Sequence, residues 1–210
     1  AHLAVVADAA TTPFQAAKRA DLQIGDNVIV IGIGGVGQYM VQIAKALGAG
    51  CVLAVDIDEK RLEQIQNYGA DAAINATGKG PRDISGEVKA LRKQKGLPGY
   101  GWKIFEVTGS KPGQETALGL LSFTGKLIVV GFGMQKLEYS ISRLMAFDAE
   151  IIGTWGCLPE YYPQVLGMVL SGKIDMAPFV QTRPMSTITA AFEEAHSQSP
   201  DRRIVLVPDF

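Results

Sequence analysis

The chain has 210 residues, 47% hydrophobic and 20% charged, with a formal net charge of -1. That suits one large globular domain, or one domain with extensions, and leaves no basic footprint for nucleic acid. No apolar run reaches membrane-spanning length and no signal-like segment opens the chain, so no membrane association is expected; two cysteines, Cys51 and Cys157, make no disulfide framework and point to a reducing cytoplasm.

The chain begins at Ala1 without a methionine and runs straight into a helix-like stretch, so an upstream continuation is expected. Residues 1–21 read as an entering helix, with Thr11 or Thr12 as N-cap before Pro13 and with Phe14, Ala17 and Leu22 packing inward. Gly25-Asp26 turns into an apolar, β-branched strand, Val28–Ile31, of the kind buried on both faces. Glycines at 32, 34 and 37 follow at G-x-G-x-x-G spacing: Gly32 for a tight turn, Gly34 for close approach to a pyrophosphate, Gly37 for helix–strand packing. The helix after them carries Val36, Met40, Ile43, Ala44 and Leu47 on one face and stops at Gly48.

A second strand, Cys51–Val55, ends at Asp56, with Cys51 as a small core residue. Nineteen residues past Gly37, the Asp56 carboxylate is placed to accept both hydroxyls of an adenosine ribose and to repel a 2′-phosphate. NAD is therefore the expected cofactor; the alternative is a nucleotide-free α/β core sharing the turn. Asp58 caps a helix bearing Leu62 and Ile65 and ending at Gly69. Ala72–Ile74 is a short strand, residues 76–83 a loop, and Ile84, Val88 and Leu91 mark a helix whose Lys89, Arg92, Lys93 and Lys95 read as a solvated face. Lys103–Val107, Lys126–Val130 and Glu150–Thr154 are strands four to six, with a helix over 114–121. This alternation predicts an α/β Rossmann fold, a doubly wound six-stranded parallel sheet with helices on both faces, over residues 22–156. The extension 157–210, with helices at 159–170 and 186–195 and a strand at Arg203–Val207, lies outside that unit and is expected to pack elsewhere.

The GIGGVG loop, Asp56, VVGF and IIGTWG together resemble the zinc-type medium-chain dehydrogenase/reductase family of alcohol dehydrogenases, over its C-terminal part only. The segments VADAATTPFQA, WKIFEVTG, ISRLMAFDAEIIGTWGCLPEYYP and DRRIVLVP further resemble members acting on alicyclic hydroxyacyl-CoA esters. The resemblance implies hydride transfer from a secondary alcohol to NAD, with zinc in the full-length enzyme as Lewis acid. It also implies a missing N-terminal GroES-like catalytic domain that carries most zinc ligands, against which the C-terminal extension would pack. An acyl-CoA substrate and a homodimer or homotetramer, associating near Glu150–Thr154, complete the expectation; the alternatives are a polyol or threonine dehydrogenase of the same family, or a non-catalytic NAD-sensing module.

Residue by residue, the resemblance puts cofactor phosphates on the amides of Gly32, Gly34, Gly35, Val36 and Gly37, with Asp56 and Ile57 at the ribose. Arg61 lies over the adenine edge or is a plain helix residue. Thr108, Gly109, Val130 and Gly131 approach ribose and nicotinamide, and Gly153 and Thr154 the carboxamide. Arg203 reaches the pyrophosphate or is a surface arginine. Asp8 takes the place of a third zinc ligand in the whole enzyme, or is a solvated acid; Thr12 lines the nicotinamide pocket or caps its helix. His2 and His196 have no ligand spacing, and no metal is expected in this chain alone.

Overall fold

A computed structural model describes residues 1–197 and 202–210. Asp201, the first residue of DRRIVLVP, lies outside the described residues. Six parallel strands form one sheet: β1 (Asn27–Ile31), β2 (Cys51–Asp56), β3 (Ala72–Asn75), β4 (Lys103–Glu106), β5 (Lys126–Val129) and β6 (Glu150–Gly153), in the order β3-β2-β1-β4-β5-β6. Strand order reverses between β1 and β4, and Ile31 pairs with Val55 on one side and with Glu106 on the other. A crevice at the carboxyl ends of the strands is the expected ligand site of such a sheet.

Side chains alternate across the sheet, as the strand period of two demands. Val28, Val30, Val52, Ala54, Phe105 and Ile128 join one apolar core with α1 (Thr11–Arg19), α2 (Gly37–Ala46) and α3 (Glu59–Gln66). Ile29, Ile31, Leu53, Val55, Ile104 and Leu127 join the other with α4 (Pro81–Lys95) and α5 (Lys111–Leu120). Cys51 belongs to the second core, as read from the sequence. The expected helix stops hold. Gly48 (φ +95°) closes α2 with the paired bonds Ala49 N–H to Ala44 O and Gly48 N–H to Lys45 O, and Asp58 accepts the amides of Lys60 and Arg61 at the start of α3.

Several expectations are corrected. Neither Thr11 nor Thr12 caps a helix: the chain is already helical from His2, through a 3-10 turn and a π turn (Val6–Ala10), and Ala10 stands at the cap position in helical geometry. The loop after β3 is shorter than 76–83, because Pro81 opens α4, where its missing N–H costs nothing, and Asp83 accepts the Gly80 amide. A short helix α6 (Ser142–Phe147) and a strand β7 (Val180–Pro184) add to the expected elements. β7 pairs in parallel with β8 (Arg203–Val207) as a separate two-stranded sheet.

The extension also packs differently from expectation. Helix α7 (Tyr162–Leu170) buries Val165 in the first core, together with Ile174, Met176, Phe179 and Val180. Phe179 stacks edge-on against Tyr39 and Tyr68, and Gln42 of α2 clasps the backbone of Asp175 through both amide atoms. The last helix, α8 (Ile188–Ser197), leaves Phe192 68% exposed.

Candidate functional site

The glycine loop leaves β1 at Gly32, whose φ of +92° is open only to glycine at low cost, while its amide bonds to Val55 O. A Cβ on Gly32 would stand 2.6 Å from Thr108 Cγ2, and one on Gly37 would collide with the Gly32 carbonyl. Gly37 is therefore buried packing, the role its spacing predicts. Among the described residues, the amides of Gly34, Gly35 and Val36 have no intramolecular acceptor. They sit at the N-terminus of α2, where unpaired donors and the helix dipole favour an anion.

A cleft of about 560 Å³ opens beside this loop at the carboxyl ends of β1 to β4. Gly32, Gly34, Asp56, Ile57, Arg61 and Thr108 line it together, so six of the residues singled out from sequence converge there. Its floor is apolar, from Ile31, Val55, Ile84 and Val107. Asp56 is held by its own backbone surroundings. Oδ1 accepts the amides of Ile57 (2.7 Å) and Asp58 (2.9 Å), and Oδ2 accepts that of Ile33 (2.5 Å). A carboxylate offers about four acceptor positions, so Oδ2, with one donor, keeps another open. The Arg61 guanidinium stands at the mouth, 3.8 Å from where a Cβ on Gly34 would be, and pairs with Asp58 at 3.5 Å. Lys79, which no motif marks, also lines the cleft while pairing with Glu87.

Thr108, Gly109, Val130 and Gly131 form a second layer where two loops interlock. Cβ atoms on Gly109, Gly131 or Gly133 would strike backbone of the opposite loop, and Gln135 Nε2 donates to Gly109 O. Beneath them lies Glu106, only 1% exposed, a buried carboxyl that the sequence presents merely as part of KIFEV. Burial pushes its pKa up, while hydrogen bonds from Thr108 and Gly109 pull it back. A polar residue closing an apolar strand at a carboxyl end was the available signal.

Gly153 and Thr154 lie at the far edge, on β6 and just after it, and do not line the cleft; Arg19 donates to Gly153 O at 3.1 Å. Arg203 comes to the glycine loop from β8: its Nη1 is 3.5 Å from a Cβ position on Gly35. Its Nη2 donates to Asp8 Oδ2 at 2.6 Å, and Thr12 Oγ1 donates to Asp8 Oδ1 at 3.3 Å. Asp8, Thr12 and Arg203 thus form one cluster. Zinc, which the resemblance implies for the whole enzyme, does not fit these residues. Among the described residues no three His, Cys, Asp or Glu side chains gather, and the Asp8 carboxylate is engaged by Arg203. Likewise no described helix is long and apolar enough to cross a membrane.

Comparison with known proteins agrees with this fold. A family model described as zinc-binding dehydrogenase matches residues 35–171. Sorbitol dehydrogenase of Rattus norvegicus is 28% identical over 181 residues, covering 86% of this chain and 49% of that protein. The NAD-dependent alcohol dehydrogenase of Sulfurisphaera tokodaii is 27% identical over 186 residues, 88% of this chain and 49% of its own length. The acetophenone reductase of Geotrichum candidum, solved in complex with NAD, superposes with a TM-score of 0.79 at 25% identity, covering 98% of this chain and 55% of that one. The chain spans about half the length of the curated relatives it matches. With its six-stranded doubly wound sheet and its glycine loop beside the cleft, the chain belongs to the zinc-binding dehydrogenase family.

Proposed function

We propose that this chain binds NAD in the cleft between β1 and β4, as the cofactor-binding part of an alcohol dehydrogenase. One observation carries the reading: among the described residues the amides of Gly34, Gly35 and Val36, just before α2, have no acceptor, and Asp56, bonded to the Ile33 amide of the same loop, lines the cleft beside Gly34. The amides and Arg203 meet the pyrophosphate, Asp56 a ribose hydroxyl, and the apolar floor the adenine. Bound NAD supplies a hydride acceptor. The protein's share is to hold the dinucleotide along the carboxyl ends of the strands. Asp56 disfavours a 2′-phosphate by charge.

Titration calorimetry with NADH and NADPH tests this. NADH binding is expected, with NADPH weaker, and Asp56→Ala should weaken NADH by roughly 1–3 kcal/mol. Unchanged affinity in that variant removes the ribose role, and no NADH binding at millimolar concentration favours a nucleotide-free scaffold.

For the whole enzyme we propose oxidation of an alicyclic hydroxyacyl-CoA, as by 6-hydroxycyclohex-1-ene-1-carbonyl-CoA dehydrogenase in anaerobic benzoyl-CoA degradation. The similarity of LMAFDAEIIGTWGCLPEYYP supports it. Zinc, and a preceding catalytic domain that would hold it, belong to that proposal. A polyol dehydrogenase is the second reading, favoured by the sorbitol dehydrogenase similarity. Full-length protein assayed with the cyclic CoA ester and with sorbitol separates the two. A dimer joined through β6 is part of the same proposal.

A further inference from the structure

Glu106 ends β4 at the point where the sheet's strand order reverses, and its carboxylate is the hub of a short network. Oε1 accepts the Thr108 amide (2.8 Å), the Thr108 hydroxyl (2.5 Å) and the Gly109 amide (3.1 Å). Thr108 Oγ1 in turn accepts the Ser110 amide at 2.9 Å and lies 2.9 Å from Ser110 Oγ. Ser110 Oγ accepts the Gly113 amide as N-cap of α5. The Glu106 carbonyl accepts the amides of Val130 and Gly131, both at 2.9 Å, fixing the neighbouring loop. Thr108, Ser110, Pro112, Gly113 and Thr116, all beyond Glu106 in this network or on the helix it caps, make one wall of the cleft. Thr108 also backs onto Gly32, so the network touches the glycine loop.

We infer that Glu106 is a positioning residue for dinucleotide binding: its buried carboxylate sets the Thr108–Gly113 wall at the width a ligand needs. A carboxyl confined at 1% exposure is costly, and a fold seeking stability alone would use an apolar or neutral residue there. The Gly109 amide also reaches Oε2 at 3.3 Å, so donors approach both oxygens, and a carboxamide, with an NH₂ in place of one oxygen, cannot accept on both sides. The inference rests on the NAD reading above.

The test measures NADH affinity by protein-fluorescence titration together with thermal melting, for wild type, Glu106→Gln, Thr108→Val and the double variant. Glu106→Gln should weaken NADH roughly fivefold to twentyfold while the melting temperature does not fall, since a buried charge has been removed. A purely structural residue would lower both. Thr108→Val should weaken NADH at least threefold, and the double variant should be no weaker than the worse single one, because the two act as one unit. Unchanged NADH affinity in Thr108→Val, or additive losses in the double variant, overturns the inference even where Glu106→Gln does not fold. If wild type fails to bind NADH at all, the NAD reading falls instead, a distinct result.

Discussion

The two edges of the six-stranded sheet are finished differently. At one, β3 is half-buried, with Ile74 2% exposed, and α3 and α4 cover it from the two faces. At the other, β6 exposes Glu150, Ile151 and Gly153, and α6 beside it buries no side chain. Met145 on α6 and Trp155 just after β6, 84% exposed, stand in solvent beside that edge. Both strands are similarly apolar, so composition does not make the difference. Among the described residues, helices cover β3 from both faces while β6 stays largely exposed, and large exposed apolar groups beside an edge strand mark a surface that another chain can cover.

Substitutions on the two sides should therefore fail in different ways. The largest effect is expected at Gly37. Gly37→Val drives a side chain into the Gly32 carbonyl, so the loop and the first turn of α2 must separate, at a cost above about 3 kcal/mol, with NADH binding lost. Denaturant melts and calorimetry read both; a folded variant with intact affinity would show that the loop is not the anion site.

Next is Tyr39, buried in α2 against Phe179, its hydroxyl without a partner. Burial pushes its pKa up to about 12, with the Arg203 charge acting in the opposite direction. The unfolded chain then loses its phenol proton first. Stability from this group is complete below about pH 10 and is lost as pH rises toward 12, by roughly 2–3 kcal/mol in all. Urea melts at pH 9 and pH 11 should show a slope that Tyr39→Phe reduces, and the variant should be as stable as wild type at pH 7 because an unsatisfied buried hydroxyl is gone. Equal slopes would place the phenol in water.

The smallest effect on folding is expected at the open edge. Trp155→Ser and Met145→Ser should change stability by no more than about 0.5 kcal/mol, yet shift sedimentation from dimer toward monomer. A wild type that sediments as a monomer at micromolar concentration removes the proposed β6 interface.

Much of this was readable in advance because it is local. The β-branched run of β1, the glycine spacing, Asp58 before α3 and Gly48 after α2 are short-range signals, and the structure places each as read. The N-terminal segment was misread for a related reason: Thr-Thr-Pro is a strong local cap signal, but Val5, Val6, Ala9 and Ala10 are all buried against the core, and their packing keeps the chain helical through it. Short β7 and α6 have no periodicity to show; β7 is a strand because β8, far along the chain, pairs with it.

Periodicity and turn chemistry act over a few residues, so the parallel sheet, the glycine loop and Asp56 can be read straight from the chain. Which distant groups meet is a matter of long-range packing. Arg203 crosses from β8 to the loop and pairs with Asp8, Phe179 and Gln42 pin the extension to α2, and Glu106 becomes the buried anchor of a cleft wall. Those pairings depend on burial and charge compensation between segments far apart in the chain, which no local pattern encodes.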